Sequence, residues 1–276
     1  MCDHDPFPRF SGVAIVLSCA EISPGVFDLQ IARAGHSKGD TVIPNPVAGQ
    51  FFMLKAIPSG VLLGRPISVY RYTNDVISFL ILQKGRGTAE LCALRAGDKV
   101  HLVGPIGNTF PLPGSDLVVS HLSSMLCPSL AHPRIALVGG GIGVAPVAGF
   151  AFELRPQSFD FYAAFRNGVY GLAGLEERAS NLVVITESGE EGVKGILPDA
   201  FSPQDYDLVY ACGPTPMLRY IQKVCANTTL AFISLEERMA CGAGACLGCT
   251  IPTIHGNRRC CVDGPVFAAH EVLFDE

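Results

Sequence analysis

Nine residues constrain this chain most tightly: Cys241-Gly242-Ala243-Gly244-Ala245-Cys246-Leu247-Gly248-Cys249, three cysteines spaced C-x4-C-x2-C with glycines between them. That is the plant-type spacing for a [2Fe–2S] cluster, where one loop supplies three thiolates and a distant cysteine the fourth. The loop has to fold tightly around a compact anion whose sulfurs need hydrogen bonds. Gly242, Gly244 and Gly248 are expected to let backbone N–H groups approach and to adopt positive φ. A zinc knuckle would use paired C-x2-4-C hooks, with histidine common among the ligands, and interleaved glycines suit it poorly. Cys260 and Cys261 stand downstream as candidates for the fourth ligand, and the spacing alone does not choose between them.

Five of the 11 cysteines fall between Cys241 and Cys261. The rest are too scattered for a disulfide-built domain, where cysteine exceeds roughly 8–10% of the residues. Met1-Cys2-Asp3-His4-Asp5 carries two acids where a signal peptide needs a basic stretch. The uncharged run Ile135 to Phe152 holds five glycines and Pro146, and a membrane span needs about 20 predominantly apolar residues. The chain therefore reads as soluble and cytoplasmic, with reduced thiols, and clustered cysteines in that compartment point to metal. A formal charge of −5, with no basic run longer than Arg258-Arg259, argues against nucleic acid as a partner.

Along the chain, short β-rich runs such as Gly12 to Leu17, Val26 to Ile31 and Val76 to Leu82 are separated by turn signals. They predict a multidomain α+β protein that opens with an antiparallel β-barrel over residues 1–112. Residues 113–133 are rich in Pro, Ser and Leu and read as a connector, with Leu117-Val118-Val119 as a possible strand inside it. Strand–helix alternation over 134–232 predicts a central α/β parallel-sheet domain. The cysteine cluster defines a small C-terminal unit over 233–276.

Two further stretches carry chemistry. In Arg65-Pro66-Ile67-Ser68 an arginine beside a rigid proline suits a pyrophosphate, and a serine hydroxyl suits a flavin ring. Lys84-Gly85-Arg86-Gly87-Thr88 follows, opening a predicted helix whose amides, aided by Thr88, suit a phosphate. Val138-Gly139-Gly140-Gly141-Ile142-Gly143-Val144-Ala145-Pro146 follows an apolar strand, a variant of the dinucleotide glycine turn in which Pro146 breaks the usual pattern. Cys212-Gly213-Pro214-Thr215-Pro216-Met217 closes another strand, and a lone cysteine there is either a nucleotide-site residue or a buried small side chain.

In this order the motifs R-P-I-S, G-x-G-T, G-G-G-I-G-V-A-P, C-G-P-x-P-M, M-A-C-G-x-G-A-C-x-x-C and C-V-D-G-P-V-F resemble the ferredoxin–NADP reductase superfamily. Within it the chain is most similar to the electron-transfer subunits of class 1B dihydroorotate dehydrogenase, over about residues 10 to 270. The resemblance implies FAD contacts at Arg65, Pro66, Ile67 and Ser68 and at Gly87 and Thr88, with a middle segment on Leu80, Ile81 and Leu82. The family tends to have a Tyr-Arg pair in that segment; Ile81-Leu82 leaves only backbone contacts. NAD as a diffusible substrate falls on Gly140, Gly141, Gly143 and Cys212, and the cluster on Cys241, Cys246, Cys249 and Cys261, the last chosen by its C-x-D-G-P-V-F context. Arg166 is a possible contact for a 2′-phosphate, leaving NADH against NADPH open. The resemblance also implies a partner: an FMN-containing catalytic subunit that oxidises dihydroorotate in pyrimidine (UMP) biosynthesis, two copies of each chain together. A sister subunit of a hydrogenase or a ferredoxin:NADP complex, a self-contained reductase and a redox sensor are the other readings.

Overall fold

In the computed structural model the described residues are 9–33, 42–124, 132–154, 157–226 and 228–274. The N-terminal residues Met1–Asp5 and part of the expected connector lie outside them. The first sheet is built from β1 (Phe10–Ser23), β2 (Val26–Ala32), β3 (Phe51–Ile57), β4 (Arg65–Ser68), β5 (Arg71–Tyr72), β6 (Val76–Leu82) and β7 (Lys99–Ile106). All its pairings are antiparallel, in the order β4-β3-β7-β1-β2-β6-β5.

The sheet curls because β1 changes partner along its length. Its first half pairs with β7 and its second half with β2, with a register shift between Val16 and Ser18, the local bend a bulge produces. The two edges, β4 and β5, are consecutive in the chain. Between them Val69 N–H donates to Gln50 O at 3.0 Å and Tyr70 N–H to Ser78 O at 3.0 Å, tying both edges together. The curl encloses a core that includes Leu29, Ile31, Phe52, Phe79 and Ile81, and Leu91 from helix α1 (Arg86–Cys92) packs into it.

The predicted strand at Leu117-Val118-Val119 is instead part of helix α2 (Asp116–Ser124). Val118 and Leu122 are both buried; four residues apart, they share a helical face, and packing that face outweighs the β preference of the valines.

The second sheet contains β8 (Ile135–Gly140), β9 (Asp160–Phe165), β10 (Asn181–Thr186), β11 (Val193–Lys194), β12 (Leu208–Cys212) and β13 (Leu230–Ser234), all parallel. Helix α3 (Val144–Glu153) follows β8 and helix α4 (Thr215–Cys225) follows β12. The C-terminal residues form a two-stranded ribbon, β14 (Thr250–Ile251) with β15 (Arg258–Arg259), and then β16 (Val266–Ala268). β16 pairs antiparallel with β13, so the C-terminal unit supplies the edge strand of the central sheet. The order β11-β10-β9-β8-β12-β13-β16 reverses direction between β8 and β12, and open α/β sheets bind ligands at the carboxyl ends of strands at such a switch point. Among the described residues no helix is long and apolar enough to cross a membrane.

Candidate functional site

At that switch point lies a cleft of about 710 Å³, within the range of cofactor pockets. One wall is the curled sheet: Pro66, Ile67 and Ser68 of β4, Leu80 and Leu82 of β6, then Lys84 and Thr88. The facing wall is Gly140, Gly141, Ile142 and Gly143 after β8, with Gly213 and Pro214 after β12. The third side is the segment Leu235 to Met239 leading into the cysteine loop, together with Pro265. Three separated stretches of sequence thus border one space.

Strand alternation sorts the middle segment. Leu80 and Leu82 face the cleft, whereas Ile81 is buried in the core of the curled sheet and offers the cleft no side chain. Arg65 lies beside the cleft, its guanidinium against Gly87, where an added Cβ would sit 2.7 Å from Arg65 Cζ. The cleft is apolar along its flanks, with Ser68, Thr88 and Lys84 as its polar points on this wall, which suits an aromatic ring system carrying a charged tail.

The glycines after β8 divide by role. Gly141 has φ +53 and only the Tyr170 hydroxyl, at 3.9 Å, near a would-be Cβ, so its backbone is open to the cleft. Gly140 and Gly143 are small because the β12–α4 turn presses on them: a Cβ on Gly140 would meet Met217 Sδ at 2.6 Å, and one on Gly143 the Cys212 carbonyl at 2.5 Å. Cys212 is 1% exposed and its side chain does not line the cleft. Burial and then the nearby Glu236 push its thiol well above the ordinary range, against a hydrogen bond with Ser234. Arg166 reaches the cleft wall and faces Glu187 at 3.9 Å.

Two residues that no motif marked, Tyr170 in the lining and Asn108 outside it, also shape the site. Tyr170 stacks edge-on against Phe165. Glu236 lines the cleft, and desolvation there raises its carboxyl above the ordinary carboxylate range while Lys84 pulls it down. Asn108 staples the end of β7 to the C-terminal unit: its N–H donates to Gly264 O at 2.7 Å, and Val266 N–H donates to its Oδ1 at 2.9 Å.

The cysteine loop projects from the third side. Gly242 and Gly244 have φ +65 and +76 as expected; Gly248 does not, and Leu247 takes the left-handed position at φ +59 instead. The thiols form two pairs. Cys241 lies within hydrogen-bonding reach of Cys246, both exposed, and Cys249 within reach of Cys261, both buried. Among the described residues no three histidine, cysteine or acidic side chains converge closely enough to hold a single metal ion. Two pairs of thiols, two per iron, is the donor arrangement a two-iron cluster requires, so the residues fit that group. Backbone donors are in place as well: Ala243 N–H to Cys241 Sγ at 3.3 Å, Gly244 N–H to Cys261 Sγ at 3.2 Å and Gly248 N–H to Cys246 Sγ at 3.5 Å. Such bonds, from Ala243 first and then Cys246, bring the Cys241 thiol down to about 6, while burial pushes Cys261 up. Cys260 is buried beside them, its N–H bonded to Cys249 O at 3.0 Å.

A curled antiparallel sheet, a switch-point cleft and a cysteine loop together define a pyridine-nucleotide-linked reductase fold with an appended iron–sulfur unit. Two solved structures are similar to the chain in fold. One is an NADH-dependent reduced ferredoxin-NADP oxidoreductase, with TM-score 0.76 and 22% identity, covering 96% of this chain and 91% of that one. The other is phthalate dioxygenase reductase, with TM-score 0.60 and 17% identity, covering 91% and 87%. Residues 236–273 match the iron-sulfur cluster binding domain of dihydroorotate dehydrogenase B. Over 273 residues the chain is 33% identical to the dihydroorotate dehydrogenase B (NAD(+)) electron transfer subunit of Caldanaerobacter subterraneus, covering 96% of this chain and all of that protein. It is 38% identical to the Clostridium acetobutylicum protein of the same name, covering 83% and 87%. The chain belongs to the family of dihydroorotate dehydrogenase B (NAD(+)) electron transfer subunits.

Proposed function

We propose that the chain relays electrons between NAD(+) and a partner dihydroorotate dehydrogenase subunit, in the cytoplasm and within pyrimidine biosynthesis. The partner is the FMN-containing catalytic chain, assembled as two copies of each. The observation that carries this reading is the shared cleft: Pro66, Ile67, Ser68, Leu80, Leu82 and Thr88 of the flavin candidates, the three glycines of the nucleotide candidates and the segment leading into the cysteine loop line one space.

Flavin contacts fall to Arg65, Pro66, Ile67, Ser68, Leu80, Leu82, Gly87 and Thr88, with Ile81 contributing backbone only. Gly140, Gly141, Gly143 and the Cys212 turn form the nucleotide wall. Cys241, Cys246, Cys249 and Cys261 hold the cluster. Bound FAD supplies the exchange between two-electron hydride chemistry and the one-electron cluster. The apolar flanks Leu80 and Leu82 keep water from that exchange, and Ser68 presents a hydroxyl to the ring. Gly141 offers an unobstructed backbone to the nucleotide. The exposed Cys241–Cys246 pair and the exposed Leu247 beside it face outward, toward the partner.

The test is an absorption spectrum of anaerobically purified protein, with and without NADH, followed by mixing with the catalytic subunit and dihydroorotate. A flavin band with iron–sulfur features that bleach on NADH addition supports the reading. A colourless, zinc-containing protein overturns it.

A further inference from the structure

The side chain of Arg65 is aimed before any ligand arrives. Its Nη1 donates to Leu63 O at 3.1 Å and to Gly64 O at 3.2 Å, both in the loop between β3 and β4. Its guanidinium rests on Gly87, where any side chain would displace it. The loop that supplies these carbonyls has little core of its own, for Leu62 at its tip is 88% exposed.

What holds the loop is Glu90, on the last turn of α1. Its Oε2 accepts from Ser59 Oγ at 2.5 Å and its Oε1 from Gly60 N–H at 3.1 Å. Arg86, one turn earlier, donates to Gly60 O at 3.4 Å. The Ser59 bond and then the Gly60 bond, with Arg86 and Arg65 nearby, hold the Glu90 carboxyl below its ordinary range, so the clasp is an ionised one. Gly60 is confined by the same groups: a Cβ there would lie 3.1 Å from Arg86 Nη2 and 3.2 Å from Glu90 Oε1.

We propose that Glu90 is a positioning residue for a phosphate-bearing flavin: its clasp on Ser59 and Gly60 fixes the loop whose Leu63 and Gly64 carbonyls orient Arg65 toward the ligand's diphosphate. This rests on the reading that Arg65 meets the flavin. An arginine fork held in one rotamer loses less freedom on binding phosphate than a mobile one. The charge of Glu90 acts in the opposite direction, because it competes with phosphate for Arg65. Clasp and charge therefore predict opposite signs and can be separated.

The experiment uses the full chain with its cluster in place, stripped of flavin and titrated with FAD and with riboflavin, which lacks phosphate. Glu90→Ala removes clasp and charge together; Glu90→Gln keeps an acceptor for Gly60 N–H and a partner for Ser59. Ser59→Ala, a milder change outside the helix, removes the bond to Glu90 together with the hydroxyl's local bonds to Val61. Glu90→Ala is expected to weaken FAD about tenfold, the order found when the partner orienting a ligand-holding group is removed, and to leave riboflavin within about twofold. Ser59→Ala should weaken FAD by about threefold, and Glu90→Gln, which keeps the clasp and loses only the charge, should bind FAD as tightly as wild type or more tightly. FAD binding as tight as wild type or tighter in Glu90→Ala overturns the proposal, as does an equal loss of riboflavin. Wild-type protein that takes up no FAD overturns the flavin reading itself, which the variants would not be needed to reveal.

Discussion

Replacing Gly143 by alanine separates two explanations for the glycines after β8. If they are small so that a nucleotide can approach, the methyl should cost binding and little stability. The structure says otherwise: the added Cβ would lie 2.5 Å from both C and O of Cys212 and 2.6 Å from Gly213 N. Carbon contacts relax at about 3.5–4.0 Å, so roughly 1 Å of overlap falls on backbone atoms. Those atoms cannot retreat, because Cys212 is paired with Gly139 on one side and Ser234 on the other. Overpacking costs about 1–3 kcal/mol, and a rigid neighbour puts this case at the upper end, about 3 kcal/mol. At roughly 2–4 °C per kcal/mol for a protein of about this size, the melting temperature should drop by about 6–12 °C. Gly141→Ala is the internal control. Its φ of +53 charges alanine about 1–2 kcal/mol of left-handed strain, but only Tyr170 Oη at 3.9 Å stands nearby. Its drop should be about 2–8 °C by the same conversion, accompanied by weaker NADH binding, since its backbone faces the cleft. Thermal melting with saturating FAD, paired with an NADH titration, reads both. A Gly141→Ala protein less stable than Gly143→Ala would refute the steric argument.

Cys246→Ser should abolish electron delivery to the catalytic subunit yet leave FAD bound, because Cys246 is an exposed member of the outer thiol pair and lines no part of the cleft; normal coupling of NADH to dihydroorotate would refute the relay. Glu153, at the end of α3, accepts Ala48 N–H from the turn before β3 at 2.9 Å, and burial pushes its carboxyl up to about 7. That value lies above the ~4.3 of an unfolded glutamate, so the bound proton stabilises the fold; the contribution is full below about pH 4.3 and is lost as pH rises through about 7. Melting temperature should therefore fall between about pH 5 and about pH 8, and Glu153→Gln should flatten that fall. Leu247→Gly removes left-handed strain at φ +59 and an apolar side chain that is 62% exposed. The isolated chain should gain up to about 1 kcal/mol while its complex with the catalytic subunit loosens in gel filtration, and an unchanged complex would mean this side chain does not meet the partner.

Four of the six parallel strands were legible because buried strands advertise themselves as short apolar runs between glycine and proline signals; β11 and β13 were not read from the sequence. Ile135 to Val138 and Asp207 to Ala211 fall within a residue or two of β8 and β12. The cysteine loop was legible because its chemistry is written in contiguous residues. Long-range contacts were not. Asn108 bonds to residues more than 150 positions away, and nothing around it marks it out locally. β16 was hidden for the same reason: three residues after a proline become a strand only because β13 offers an open edge. Gly248 and Leu247 exchanged roles because composition tells which residue tolerates positive φ, whereas the turn's own closure decides where it is needed.

The position of the cysteine loop follows from these long-range ties. β16 fixes the C-terminal unit to the central sheet, and Asn108 fixes it to the end of β7. A third tie lies at the loop itself: a Cβ on Gly242 would meet Met53 Cγ at 2.9 Å and Ile106 Cδ1 at 3.1 Å, so the loop backbone rests directly on the first sheet. Met53 in β3 is the register partner of Pro66 in β4, the strand that lines the cleft with Pro66, Ile67 and Ser68. One strand-to-strand step therefore separates the cysteine loop from the cleft wall proposed for the flavin. A cluster unit joined by a flexible linker would have to find that position by diffusion. Here both sheets hold it, and the exposed thiol pair is the side left open to a partner.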